Sequence, residues 1–319
     1  MRLFEARSNF RLAAAVFFLL ISINTAGAQT KSPAAASRLT ITINTEPLAK
    51  VWLDAVFYGT ADGSGALKIA NLSSARKTIR VRADGFKEVQ KGVVPQQGGQ
   101  ISLPLTKTID EAELAFQSAE RLASVDRAKA AAEYQRAVQL RPGYVEAFIG
   151  LARLYSETGE VDKAERAIAA ARRAKPGLAE ISAIEGRILK SADEEGKGVA
   201  AFKRAIREGN GFQPEAYAGL GLLYKEKAEN FGSSGDYEQE AANYAEAAKY
   251  LSTAIRQLSG APDSVVLYQF LGLIYEQQKK PDKAIAVYQE LLAAFPGHPE
   301  SAAFESFIVQ LKKQAADQD

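Results

Sequence analysis

Few side chains in this sequence are suited to chemistry, and none fall into a catalytic set. The single histidine, His298, lies in Pro296-Gly297-His298-Pro299, and there is no cysteine. One imidazole without a thiol completes neither a metal-ligand set nor a nucleophile–base pair, so His298 reads as an exposed loop residue. Gly219-Leu220-Gly221 is not a phosphate loop, because no strand precedes it and no Gly-Lys-Ser/Thr follows; these glycines read as packing positions. Asp193, Glu194 and Glu195 fall in an expected helix–helix turn as solvated acids. Asp54 and Asp62 fall short of the roughly six to eight oxygens that calcium requires. No enzyme activity, cofactor or metal is therefore expected. Trp52 alternates with Val51 and Leu53, which puts it on the opposite face of a strand. There it would either dock against the rest of the chain or offer a platform to a sugar.

The N-terminus bounds the compartment. Arg2, Arg7 and Arg11 precede an uncharged run of 12 residues, Leu12 to Ile23, and then Ala26-Gly27-Ala28. A basic segment, a short apolar segment and small residues at the cleavage positions form the pattern of a secretory signal. The run is shorter than the roughly 20 residues that span a bilayer. The expectation is an exported, periplasmic or envelope-associated protein that is not a lipoprotein, since it lacks the cysteine a lipid would need. Residues 1–28 carry the whole formal charge of +2, leaving 37 basic and 37 acidic side chains in the remainder. A neutral chain has no overall field to attract nucleic acid. With 47% hydrophobic and 24% charged residues, the composition excludes both a disordered chain and a membrane bundle.

Beyond a linker over 29–37, two periodicities divide the chain. From Leu39 to Leu105 apolar residues alternate with polar ones, as in Leu39, Ile41 and Ile43 or Ile79 and Val81. Turn residues such as Asp62-Gly63 and Asp84-Gly85 separate the runs. Five to seven short strands on this pattern predict a small antiparallel β-sandwich over 38–106. From Ile109 the period becomes helical and the sequence repeats. Pro142 and Pro176 are 34 residues apart, and Pro296 closes a further unit. Phe148, Leu151, Ala152 and Tyr155 correspond to Tyr268, Leu271, Gly272 and Tyr275, with Tyr217, Leu220, Gly221 and Tyr224 between them. Five units are expected over 109–297, at about 111–142, 145–178, 179–210, 214–258 and 265–296, with a capping helix over 298–315.

These residues resemble known families. The helical units match the tetratricopeptide repeat at nearly every signature position. Pro47-Leu48-Ala49-Lys50-Val51-Trp52-Leu53-Asp54-Ala55, followed by Gly59-Thr60, resembles a PEGA domain, although Leu48 replaces a Glu-Gly pair and Ala55 a glycine. Thr60-Ala61-Asp62-Gly63-Ser64-Gly65 is similar to the carboxypeptidase-regulatory-like sandwich instead. The implied fold class is α+β multidomain: an antiparallel β-sandwich followed by an all-α superhelical solenoid. The repeat resemblance implies a concave face lined by the first helix of each unit. It places Arg153, Arg187, Lys190 and Lys225 there as a candidate partner-binding stripe for acidic segments, with Glu146, Glu180 and Glu215 along the same helices. The fixed Lys/Asn set of chaperone-binding members is missing, since the corresponding positions are Ile149, Ala183, Ala218 and Gln269.

One unit departs from the repeat. Ala164 follows Tyr155 by nine positions, whereas Ala247 follows Tyr224 by 23. The excess contains an expected turn at Phe231–Asp236, so both helices should lengthen and the hairpin should protrude. Phe231, Tyr237 and Tyr244 are its candidate contacts.

Together these features predict a non-enzymatic protein–protein scaffold or adaptor of the bacterial periplasm or cell envelope. The expected partners are proteins or peptides and not nucleic acid. An accessory subunit of an envelope assembly or secretion machine, or a glycan-binding protein acting through the sandwich, would share the same features. Cleavage after Ala28 would leave Gln29 as the first residue, which mass spectrometry of the exported protein reads directly. An intact segment 12–23 would indicate a retained anchor.

Overall fold

The computed structural model describes residues 39–258 and 260–316. The expected export signal and the linker over 29–37 lie outside these residues. The first part contains seven strands: β1 (Leu39–Asn44), β2 (Lys50–Leu53), β3 (Val56–Thr60), β4 (Ala66–Leu72), β5 (Lys77–Arg82), β6 (Val89–Val93) and β7 (Gly99–Ser102). They form a three-stranded sheet in the order β4-β1-β7 and a four-stranded sheet in the order β3-β2-β5-β6. Alternation determines the core: Ile41, Ile43, Val51, Leu53, Ile79 and Val81 point inward and are buried, joined by Leu72 and Leu103.

One pairing differs from the antiparallel expectation. β7 runs parallel to β1, with Ile43 opposite Ile101. The preceding strand, β6, lies in the other sheet, so β7 returns across the sandwich instead of folding back as a hairpin.

The β2–β3 turn is two residues, Asp54 and Ala55, with φ of 50° and 68°. Left-handed geometry at both positions is what a tight hairpin requires. Asp54 secures the turn by accepting a hydrogen bond from the Thr78 amide at 2.8 Å and pairing with Lys77 at 2.9 Å. Asp62 accepts hydrogen bonds from the Ser64 amide at 2.8 Å and the Ala66 amide at 3.0 Å. Both acids therefore hold turns together.

The helices form five antiparallel pairs and a final single helix among the described residues. They are α1 (Glu111–Leu122) with α2 (Arg127–Leu140), α3 (Val145–Glu157) with α4 (Val161–Ala174), α5 (Ala179–Ser191) with α6 (Glu195–Glu208), α7 (Pro214–Ser234) with α8 (Tyr237–Leu258), α9 (Ser264–Gln277) with α10 (Pro281–Ala294), and α11 (Ser301–Ala316). The result is a solenoid in which each pair packs on the next. Asp110 caps α1 by accepting from the amides of Ala112 and Glu113, which starts the first helix directly after the sandwich.

Small residues hold the spacing. Phe202 of α6 is 1% exposed and wedges between Gly186 of its own pair and Gly219 of the next. A β-carbon at Gly186 would lie 2.6 Å from the Phe202 ring, and one at Gly221 would lie 2.7 Å from the Leu251 side chain. Gly219-Leu220-Gly221 is thus a packing element. At the far end Phe304, Ile308 and Leu311 of α11 cover the last pair, with Phe304 stacked on Tyr288 at 5.9 Å.

The fourth pair is long. α7 has 21 residues against 13 in α5, and α8 has 22 against 14 in α6. Eight extra residues extend each helix by about 12 Å at 1.5 Å per residue. The turn is shorter than the sequence suggested. α7 runs through Phe231–Ser234, and only Gly235, with φ of 82°, breaks it. Ser233 and Ser234 remain helical by donating back to the carbonyls of Glu229 and Phe231.

Gly219→Val should cost about 1–3 kcal/mol by overpacking the Phe202 contact. Gly143→Ala, where a β-carbon meets nothing within 4 Å, serves as the neutral control. Chemical denaturation of the two variants checks the difference.

Candidate functional site

The candidate site is built where the sandwich meets the solenoid. Trp52 lies on the opposite face of β2 from the buried Val51 and Leu53. This face is turned toward the helices, which strand alternation does not reveal. Arg80 lies opposite Trp52 on β5 and stacks its guanidinium over the indole at 4.4 Å, while Phe57 packs beside it at 5.5 Å. The Trp52 ring therefore forms part of the wall that the sandwich turns toward the helices.

Arg82, two residues along β5, is 6% exposed although its position alternates with the inward Ile79 and Val81. Its guanidinium lies over the Phe116 ring of α1 at 4.5 Å. It pairs with Glu88 at 2.6 Å, Glu120 at 3.4 Å and Glu113 at 3.9 Å. Burial pulls the affinity of Arg82 for its proton down, but the carboxylates of Glu120, Glu88 and Glu113 more than reverse this. Gln117 completes the junction by accepting from the Gly85 amide at 2.8 Å and donating to the Phe86 carbonyl at 2.9 Å. Arg121 pairs with Asp84 at 2.9 Å.

A cavity of about 530 Å³ opens between this wall and α3, α5 and α7. Its lining includes the aromatic Trp52 and Phe57, the apolar Ile149, Ala218 and Leu267, and the charged Arg153, Arg187, Glu180 and Glu215. Arg153 is paired within it. Its guanidinium donates two bonds to Glu215, at 3.1 and 2.8 Å, and one to Glu180 at 3.3 Å, tying α3 to both α5 and α7. Arg187 reaches Glu215 at 3.5 Å. Desolvation pushes the Glu215 carboxyl up, but the charges of Arg153 and Arg187 and the bonds from Arg153 outweigh it, so Glu215 titrates below its ordinary range. Burial, reinforced by Arg153, leaves Arg187 holding its proton less tightly than usual.

The four basic residues expected as a stripe are each matched by an acid. Besides the Arg153 and Arg187 pairs, Lys190 meets Glu226 at 2.6 Å, and Lys225 meets Glu229 at 2.6 Å. Lys225 also approaches the Phe270 ring at 5.7 Å. Arg153 and Arg187 line the cavity; Lys190 and Lys225 are not among its lining residues. Of the hairpin residues, Tyr237 is 71% exposed and Phe231 half-buried. Tyr244 is 5% exposed and packs in the apolar cluster that includes residues of α8 and α9, so its role is to support the hairpin from inside.

The sequence reading missed Val56, Tyr58 and Asn71. Val56 is 7% exposed and packs with the apolar cluster of the last helices, not with the sandwich core. Tyr58 donates its hydroxyl to the Leu258 carbonyl at 3.0 Å, and Asn71 donates its amide to the Ala294 carbonyl at 3.1 Å. The available signal was a run of apolar residues, Val56, Phe57 and Tyr58, that breaks strict alternation and so buries both faces of β3.

Family models of the tetratricopeptide repeat match residues 121–188 and 234–299. These two stretches are therefore tetratricopeptide repeats, a unit that stacks into extended concave binding surfaces. No curated protein sequence matches the chain. Among solved structures, yeast Tom70 superposes with a TM-score of 0.51 at 19% identity, over 65% of this chain and 41% of Tom70. A thermophilic tetratricopeptide protein of Thermus thermophilus gives 0.46 at 16% identity, over 62% and 99%. PilW, a widely conserved type IV pilus biogenesis factor, gives 0.46 at 16% identity, over 64% and 91%. The chain spans about two-fifths of Tom70, and at these identities the likeness is one of fold.

Glu215 contributes stability that is full above its ordinary value of 4.5 and is lost as pH falls through its lowered folded value. Glu215→Gln should therefore reduce stability at neutral pH and flatten the acid limb of the stability profile. Denaturant melts of both proteins from neutral pH down to acid measure the two slopes.

Proposed function

We propose that the protein is an exported, non-enzymatic adaptor whose concave groove binds an extended segment of a partner protein. The observation that carries this reading is the cavity itself. It combines the aromatic rings of Trp52 and Phe57 and the apolar Ile149, Ala218 and Leu267 with a charge-matched ladder of Arg153, Glu180, Arg187 and Glu215. Apolar walls with a few oriented polar groups between them are the usual makeup of a ligand cleft. Its cations are already paired, so recognition rests on shape, apolar contact and the donors Arg187 retains, more than on attraction of acidic segments.

The secretory pattern over residues 1–28 supports placing the adaptor in the periplasm or cell envelope, with a PEGA-like or carboxypeptidase-regulatory-like sandwich at its N-terminal side. A second reading, an accessory subunit of an envelope assembly held by a wide contact, is favoured by one observation: Tyr237 is 71% exposed at the tip of a hairpin longer than its neighbours.

A peptide array probed with the full chain tests the groove. Ala218→Arg places a large charged side chain on its apolar wall, and binders should weaken on the order of tenfold with the circular dichroism spectrum unchanged. Binders indifferent to Ala218→Arg but lost with Tyr237→Ala would move the site to the hairpin tip. An array without binders would argue for a wide folded surface.

A further inference from the structure

Tyr134, Phe202 and Tyr288 hold the same place in the second helix of their units, four residues after Ala130, Gly198 and Ala284. All three are buried, and each ring lies where a glycine leaves room: Gly150 for Tyr134, Gly186 and Gly219 for Phe202, Gly272 for Tyr288. Packing at this place asks only for the ring, as Phe202 shows. The Tyr288 hydroxyl is used, donating to Glu276 at 2.6 Å. The Tyr134 hydroxyl has no hydrogen-bond partner among the described residues, although the residue is only 5% exposed. A β-carbon on Gly150 would lie 2.9 Å from that hydroxyl, and Tyr134 and Gly150 both line the groove cavity. The ring thus ends in the cavity lining with a polar group that the fold leaves unused.

Glu146, Ile149, Gly150 and Arg153 line the cavity at helical spacing, so one face of α3 borders it. Glu146 lies one turn before Gly150 on this face. Glu180 and Glu215 are matched by Arg153 and Arg187, and Glu120 by Arg82, whereas Glu146 forms no ion pair among the described residues. The dipole of α3 accounts for an acid in its first turn, but not for the unused hydroxyl beside it. Burial pushes the titration of the Tyr134 hydroxyl up, so it is a neutral group that can donate or accept. A ligand carboxylate could take the hydroxyl's proton, but it would sit beside the unmatched Glu146. An ammonium group has three donors and can serve the hydroxyl oxygen and the carboxylate together, with its methylene stem along Ile149. We infer that the α3 end of the groove is a subsite for one lysine side chain of the partner segment, held by the Tyr134 hydroxyl and the Glu146 carboxylate. This reverses the acidic preference that the basic residues of the groove suggest. It rests on the groove reading above and supplies a side chain that the partner must carry.

The test is an array of random octapeptides in three matched sets, with lysine, norleucine or glutamate at one central position, probed with the full chain. The lysine set should be captured roughly tenfold more strongly than the norleucine set, the scale of one hydrogen bond to a charged group. Tyr134→Phe and Glu146→Gln should each reduce that preference. Asp263→Asn, which removes another lining acid without an ion pair among the described residues, should keep it. Equal capture of the three sets overturns the subsite, as does a lysine preference that either Tyr134→Phe or Glu146→Gln leaves intact, or an equal loss in Asp263→Asn. If capture in those cases is still lost with Ala218→Arg, the groove itself stands. No capture of any set overturns both. Folding is read separately. The denaturation midpoint of Tyr134→Phe should match the parent, because the hydroxyl bonds to no described residue, whereas Tyr288→Phe should lower it by losing the Glu276 bond. A midpoint lowered as far by Tyr134→Phe as by Tyr288→Phe makes the hydroxyl structural and overturns the inference.

Discussion

A buried guanidinium joins the two folded parts of this molecule. Arg82 lies between the outer face of a four-stranded sheet and the first helix of the solenoid, with the Phe116 ring below it and Glu88, Glu113 and Glu120 around it. Removing one partner of such a buried set typically costs about 3–5 kcal/mol, because the remaining charges stay desolvated. The arrangement is strict about geometry, since an arginine side chain offers its donors in a planar fork. By fixing β5 against α1, it decides which way the sheet faces. The remaining contacts follow from that orientation: Trp52 and Phe57 are turned inward, and the β2–β3 hairpin is carried across the groove to the far helices.

Inside the groove, electrostatics holds the helices in place instead of advertising a charge. Arg153 bridges three consecutive repeats, taking Glu180 from α5 and Glu215 from α7. A solenoid is stabilised mainly between neighbours, and this ladder adds a link from one repeat to the next but one. With these side chains about one-third exposed, each pair adds modestly. Their effect is to fix the curvature of the face that a partner would meet, and to leave that face nearly neutral.

The helical repeats were legible in the sequence because their signal is redundant. The same small and aromatic positions recur in each unit, and Gly186, Gly219 and Gly221 each meet a specific bulky side chain. The sandwich core was legible from alternation, which identified Ile41, Ile43, Val51, Leu53, Ile79 and Val81 as inward. Alternation says which residues share a face, but not what covers that face. Arg82 lies on the face opposite the inward Ile79 and Val81 and is buried all the same; Tyr244 looked like a contact and is core. The pairing of β7 with β1 depends on a crossover that local pattern does not encode. Four basic residues on helix faces could be assigned to the groove region by analogy, but their acidic partners become apparent only in three dimensions, most of them on neighbouring helices.

On its far side the sandwich meets two helix ends, at Leu258 and Ala294. The carbonyls at the close of α8 and α10 need donors, and the repeat itself supplies few, because each second helix stops where the chain turns into the next unit. Leu258 accepts from the Ala261 amide within its own turn, and also from Tyr58. Ala294 accepts from Asn71. Neither bond buries a charge, so neither carries the desolvation cost that makes the Arg82 junction hard to break. Neutral hydrogen bonds of this kind contribute roughly 0.5–1.5 kcal/mol each, less than breaking a buried ion pair costs. The same sandwich is therefore anchored by a buried charged junction at α1 and by apolar packing and neutral hydrogen bonds at α8 and α10.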